Sequence, residues 1–188
     1  MSRVAIHIIS RTGRNHWLLE SWLRRHGLRA DWIVAPYSLS QGKNASVIEF
    51  LRGPEPFLLQ LDDDIVPLPA ETEPIFEGEG ALVFCAYPPK KRVSGVLAKV
   101  MSGCMRIRRD ILEAMEPPWF APRLDPTGSI QLETEEWLVV EQAKRMGFEP
   151  VRVGWAGHLV EVVAAYREGR TAFAWPHEIT GSGLKKGD

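Results

Sequence analysis

Three consecutive aspartates, Asp62-Asp63-Asp64, directly follow the apolar run Phe57-Leu58-Leu59-Gln60-Leu61. Neighbouring carboxylates repel one another, which raises their pKa values and costs stability unless a cation compensates. Hard carboxylate oxygens suit Mg2+ or Mn2+, and an ion held by one or two of them keeps coordination positions open for substrate phosphate oxygens. The structural alternative is an acidic turn that caps the next element. A second acidic pair, Glu135-Glu136, also has two readings: a carboxylate that takes a proton from a reacting hydroxyl, or charge in the first turn of a helix, favourable to its dipole. His158, beside Gly157, is either a metal ligand or a satisfied structural histidine. Lys43 and Arg11 are either surface cations or contacts to a phosphate group. Trp119 and Phe120, behind Pro117-Pro118, form either an aromatic platform for a ring-shaped ligand or a lid on the core.

These groups need elements to hold them. Val4 to Ile9 reads as a strand closed by Ser10-Arg11-Thr12-Gly13, followed by a helix with Leu18, Leu19, Trp22 and Leu23 on one face and Gly27 at its end. Asp31 to Ala35 is a second strand, and Pro36 to Gly42 reads as a polar loop containing Tyr37. Asn44 then caps a helix over Ala45 to Leu51, Gly53-Pro54 stops it, and Phe57 to Leu61 is a third strand. Strands alternating with helices in this way imply an α/β domain with a mostly parallel central sheet flanked by helices. Ligands in such sheets bind at the carboxyl ends of the strands, where Ser10 to Arg14, Pro36 to Lys43 and Asp62 to Asp64 would meet. Further on, Ala81 to Tyr87 and Val96 to Ile107 suggest strands, the latter interrupted at Gly103. Asp110 to Met115 suggests a short helix, Thr134 to Met146 an amphipathic one ended by Gly147, and Val151-Arg152-Val153 resumes a last strand that Gly157-His158 closes.

The segment LLQLDDDIVP resembles the DXD region of the GT-A glycosyltransferases, particularly the family-2-like group, with Asp62 and Asp64 at its two acidic positions. Gly42-Lys43-Asn44 before a helix is similar to the loop those enzymes set under the nucleotide. SGCMRIRRDIL resembles the segment lying near the sugar, which assigns Gly103 to that region. TEEWLVVEQAKRMGF looks like their acidic pair followed by an amphipathic helix, and His158 is placed like their late metal-binding histidine. The resemblance gives the single domain read over residues 1–180 a GT-A-like (Rossmann-like) fold, with a nucleotide-binding half at 1–67 and an acceptor and catalytic half at 68–168, while the Gly/Ser/Lys-rich stretch 181–188 reads by composition as a flexible tail. It implies Mn2+ or Mg2+ on Asp64, Asp62 and His158, and a nucleoside-diphosphate sugar held by Ser10, Arg11, Tyr37, Lys43, Asn44, Asp62 and Asp63. Glu136, or Glu135, would be the base of an inverting transfer, with Gly103 and Trp119 on the sugar and acceptor side. The chain departs from the family in having Glu-Glu where Glu-Asp is usual, and it is shorter than most relatives.

Three other functions stay open on the sequence: a sugar-phosphate nucleotidylyltransferase, another metal-dependent phosphoryl-transfer enzyme, or a non-catalytic nucleotide-sugar or carbohydrate binder. The first would need a glycine-rich loop after the first strand, and Ser10-Arg11-Thr12-Gly13-Arg14 does not supply one. With 188 residues, 45% of them hydrophobic, the chain suits one buried core, and a net charge of -1 provides no broad field for nucleic acid or an anionic membrane. Local basic runs at Lys90-Lys91-Arg92 and at Arg106, Arg108 and Arg109 would suit an anionic acceptor if they faced the cleft; otherwise they are solvated surface. Val4 to Ile9 is short for a secretory signal and no segment approaches the ~20 apolar residues of a membrane span. Cys85 and Cys104, both in apolar surroundings without CxxC spacing, fit buried thiols in a reducing compartment, so the expected location is the cytoplasm. The acceptor and the oligomeric state are left undefined.

Overall fold

The computed structural model describes residues 4–13, 16–68, 72–86, 102–129, 131–158, 166–167 and 170–171. The first half runs β1 (Val4–Ser10), α1 (Trp17–Arg25), β2 (Asp31–Val34), α2 (Leu39–Arg52), β3 (Phe57–Asp62) and β4 (Ile65–Pro67). It continues α3 (Thr72–Glu77), β5 (Leu82–Ala86), β6 (Cys104–Arg108), α4 (Arg109–Ala114), β7 (Arg123–Leu124), β8 (Gln131–Glu133), α5 (Trp137–Arg145) and β9 (Val151–His158), with a small antiparallel pair at β10 (Tyr166–Arg167) and β11 (Arg170–Thr171).

The main sheet has the order β2-β1-β3-β6-β5-β9-β4. β1 pairs in parallel with both β2 and β3, and β5 pairs in parallel with β9. β6 is antiparallel to β3 and β5, and β4 is antiparallel to β9. The parallel arrangement read from the sequence therefore covers β1, β2, β3, β5 and β9, with β6 and β4 reversed.

Side-chain alternation along β3 explains why its run is apolar on both faces. Leu58 joins a cluster with Val47 and Phe50 of α2, Ile111 and Leu112 of α4 and Val139 of α5. Leu59 and Leu61 join the opposite cluster, with Leu19, Trp22 and Leu23 of α1 and Ile75 of α3. A strand covered by helices on both sides has no solvated face to carry polar residues. The first crossover helix, α1, thus lies on one face and the second, α2, on the other, and the chain reverses direction across the sheet at β1. Cys85 and Cys104 are free thiols buried in the α1-side cluster. Among the described residues no helix is long and apolar enough to cross a membrane.

Several boundaries differ from the sequence reading. α2 begins at Leu39 after Ser38, so Gln41 to Asn44 is helix and not loop, and Asn44 is not its cap. Gly42 is there because the helix lies close against the sheet: a Cβ at this position would stand 2.7 Å from Ile9 Cγ2 and 2.9 Å from Ala35 Cβ. Its glycine signals close approach, not a turn. α5 starts at Trp137, while β4 and α3 had no counterpart in the sequence reading. Lys90-Lys91-Arg92 and residues 172–188 lie outside the described residues.

Candidate active site

β3 delivers the acidic triplet to the rim formed by the carboxyl ends of β1, β2 and β3. The Asp62 N–H donates to Gly103 O (2.9 Å) and the Asp63 N–H to Ile9 O (3.0 Å), so the triplet's backbone is clamped between β6's leading turn and β1. The Ser10 hydroxyl donates to Asp63 Oδ2 at 2.5 Å and accepts the backbone N–H groups of Gly13 (2.9 Å) and Thr12 (3.2 Å). This contact ties the loop after β1 to the loop after β3. It lies where the crossovers change face, the position at which open α/β sheets leave a crevice for ligands.

Behind the triplet sits Lys43, on α2, with 0% of its surface exposed. Its backbone carbonyl accepts from Gln60 Nε2 (2.9 Å), a polar side chain in the middle of β3. Its Nζ donates to Ser102 Oγ and to Glu135 Oε1 at 3.2 Å, and it lies 3.4 Å from Asp62 Oδ1. That last contact is an ion pair without hydrogen-bond geometry, and Asp62 Oδ1 is otherwise buried without a hydrogen bond. Ser102 Oγ in turn donates to Glu136 Oε2 at 3.2 Å. Four separate segments, α2, the end of β3, the turn before β6 and the approach to α5, meet at one ammonium.

The charges follow from that geometry. Burial alone would pull the Lys43 ammonium down, but Asp62, Glu135 and Glu136 outweigh it and hold it above the ordinary lysine range. Burial pushes the Asp62 carboxyl above its usual range; Lys43 opposes the shift, and Asp64 and Glu135 reinforce it. Glu136 is also raised, chiefly by burial, against a hydrogen bond from Thr134. One ammonium shared among three carboxylates leaves the cluster short of positive charge.

The remaining predicted residues separate into two groups. Arg11 and Tyr37 stand exposed on the loops that follow β1 and β2, Tyr37 at 89%. Ser10, Lys43 and Asn44 are instead engaged inside the protein. Asn44 Nδ2 donates to Ser40 O and Phe120 O, both at 2.7 Å, and its Oδ1 accepts from Trp119 N (2.8 Å) and Phe120 N (3.1 Å). It braces the chain after Pro118 to α2. Trp119 is 7% exposed and its Nε1 donates to Leu112 O at 2.9 Å, so its ring is part of the core and not a platform on the rim. Gly103 contributes the carbonyl that receives Asp62 N–H. His158 ends β9 opposite Ile65, so the register brings its backbone beside the residue that follows Asp64.

The basic run after Gly103 serves structure. Arg106 is buried and donates to Phe76 O and Gly78 O, while Arg109 donates to Phe50 O (2.8 Å), Gly53 O (2.6 Å) and Glu55 O (2.8 Å), satisfying carbonyls at the carboxyl end of α2. A cavity of about 530 Å³ beside Arg106, lined by Phe57, Phe76 and Phe148, lies toward the opposite end of β3 and contains none of the rim carboxylates. Ser102 opens the segment SGCMRIRRDIL but was given no role of its own in the sequence reading. The signals for it were a serine-glycine pair directly before a buried strand and, for its neighbourhood, the lone Gln60 inside an apolar one.

Among the described residues no group of three or more His, Cys, Asp or Glu side chains is gathered around a vacant metal position. The donor chemistry nonetheless suits a hard dication at the outer edge of the cluster. Asp62 turns an oxygen toward Lys43, Asp64 is partly exposed, and the carboxylates outnumber the one internal cation.

No protein-family model and no curated protein matches the chain. Among solved structures it is similar to A197 from STIV, with a TM-score of 0.61 and 18% identity over 85% of this chain and 87% of that one. It is also similar to a glycosyltransferase involved in glycosylation of the major capsid of PBCV-1, at a TM-score of 0.44 and 16% identity over 79% and 81%. A third is a mutant Drosophila β1,4-galactosyltransferase 7 in complex with manganese, UDP-Gal and xylobiose, at a TM-score of 0.46 and 13% identity over 98% and 82%. The likeness to A197 is one of fold: a mixed α/β sheet with mostly parallel central strands and helices on both faces.

Proposed function

We propose that this chain is a glycosyltransferase of the GT-A kind, moving a sugar from a nucleoside-diphosphate sugar to an acceptor hydroxyl with the help of Mn2+ or Mg2+. The observation that carries this reading is the meeting of the strand-end acid Asp62 with the acidic pair Glu135-Glu136 on one rim, through Lys43 and Ser102. A transferase of this type needs acids for two tasks, and the two clusters supply them from distant parts of the chain.

Asp64, with His158 at the neighbouring strand end, would hold the ion, and Arg11 and Tyr37 are the exposed residues on the donor side. A divalent ion bound there would supply positive charge to neutralise the departing diphosphate. The Glu136 carboxylate accepts the proton of the acceptor hydroxyl. The acceptor oxygen then bonds to the anomeric carbon as that carbon's bond to the diphosphate oxygen breaks, its electron pair leaving with the phosphate. A single displacement inverts the anomeric centre. Glu136 is preferred over Glu135 because burial raises its pKa above the ordinary glutamate range, whereas Glu135 is ion-paired to Lys43 at 3.2 Å. Against the nucleotidylyltransferase alternative, the Thr12 and Gly13 N–H groups in the first loop are turned to Ser10 Oγ.

The test is a thermal-shift and calorimetric screen of nucleotide sugars with and without Mn2+, followed by measurement of nucleoside diphosphate release. A bound donor raises stability by mass action. The expected result is a metal-dependent shift with one nucleotide class, and turnover on adding an acceptor. Absence of both across the panel defeats the proposal.

A further inference from the structure

Lys43 lies in the site yet is inaccessible to any substrate. A lysine ammonium has three N–H donors and no acceptor capacity. Here its near neighbours are Ser102 Oγ, Glu135 Oε1 at 3.2 Å and Asp62 Oδ1 at 3.4 Å, and the Phe120 ring lies 6.0 Å away. With no exposed surface, nothing of this group remains for a donor phosphate. A buried charge of this kind persists only when its partners are well placed, and removing one partner leaves the others uncompensated. The dependence runs both ways: without the ammonium, Asp62, Glu135 and Glu136 would face one another across a buried space.

We infer that Lys43 is the built-in cation of the site, a positioning residue that fixes Asp62 and Glu135 directly and Glu136 through the Ser102 hydroxyl, and that its loss falls on turnover far more than on donor binding. The inference rests on the transferase reading and sharpens it. Ser102 is the link by which a lysine on α2 sets the orientation of a carboxylate before α5, since its oxygen accepts from Lys43 and its proton goes to Glu136. The arrangement does within the fold what an additional bound cation would otherwise have to do. It also reverses the role that the sequence pattern suggested for Lys43, a phosphate contact at the amino end of a helix.

The test compares Lys43→Met, which keeps the length and loses the charge, Lys43→Arg, which keeps the charge, and Ser102→Ala, which cuts the link to Glu136. Donor affinity is measured by calorimetry with the nucleotide sugar identified in the screen, and kcat at saturating donor. Because small displacements of a reacting group cost ~100-fold in rate, Lys43→Met should lose on the order of 100-fold in kcat while donor Kd stays within about twofold, with partial recovery in Lys43→Arg. Ser102→Ala should show the same split to a lesser degree, and it decides the matter if Lys43→Met does not fold. Donor affinity lost at unchanged kcat overturns the inference and restores a phosphate contact. Wild-type kcat in both Lys43→Met and Ser102→Ala overturns it as well. If the wild-type chain releases no nucleoside diphosphate from any donor, the transferase reading itself fails and takes this one with it.

Discussion

Asn44→Ala separates a brace from a ligand contact. The side chain makes four hydrogen bonds, to Ser40 O, Phe120 O, Trp119 N and Phe120 N, at 2.7 to 3.1 Å. Truncation leaves two backbone N–H groups and the Phe120 carbonyl without these partners in a part-buried setting. Each intramolecular hydrogen bond contributes ~1 kcal/mol net, and each stranded buried donor costs ~1–3 kcal/mol, so a total loss of about 3–4 kcal/mol is expected after water relieves the most accessible group. For a chain of this length ~1 kcal/mol moves Tm by ~2–4 °C, which gives a fall on the order of 10 °C. Asn44→Asp should be nearly as damaging, because a carboxylate oxygen would replace the amide NH2 between two carbonyl oxygens. The effect should reach the site, since Ala121 N donates to Glu135 O at 3.0 Å, directly beyond the braced residues. Differential scanning calorimetry of the ligand-free protein is the assay. A Tm change below about 2 °C, accompanied by loss of nucleotide-sugar binding, would refute this reasoning and make Asn44 a donor residue.

Three further outcomes are expected. Glu136→Gln should leave donor affinity intact and lower kcat by ~10²–10⁴-fold, as loss of a general base does; full activity in that variant alongside an inactive Glu135→Gln would move the base by one residue. Asp64→Ala should abolish the Mn2+-dependent thermal shift given by the donor, and an unchanged shift would remove the metal from the triplet. A base must be deprotonated to act, and burial raises the Glu136 pKa, so the acid limb of the rate profile should lie at higher pH than for an ordinary glutamate. The same shift has the opposite sign for stability: the folded chain holds this proton more tightly than the unfolded one, so the stability contribution from Glu136 is lost as pH rises from the usual carboxylate range through the raised value. A rate profile whose acid limb sits at the usual glutamate position would rule Glu136 out as the titrating base.

How far the residues alone can be read differs between framework and site. The β1-α1-β2-α2-β3 succession was legible because strand and helix periods, Gly27 and Gly53-Pro54 are local signals that act within a few residues of themselves. The same locality misplaced the start of α2. Gly42 resembles a loop residue in sequence, and only the distance of its would-be Cβ from Ile9 and Ala35 reveals a helix pressed against the sheet. Arg106 and Arg109 read as a basic surface run because the backbone carbonyls they satisfy lie far along the chain.

The acidic triplet shows the same division. By itself the sequence determined that three carboxylates follow an apolar strand directly, and that their mutual repulsion needs either a compensating cation or a capping role. The tertiary structure decided which positive charge is built in. Lys43 and Glu135 are 92 residues apart and Lys43 and Ser102 are 59 apart, so no local pattern could pair them. Only the packing of α2 against β3, with the segment before α5 closing over them, buries the ammonium among the acids. Burial then lets one lysine hold carboxylates in place that, in water, would each stay solvated and apart.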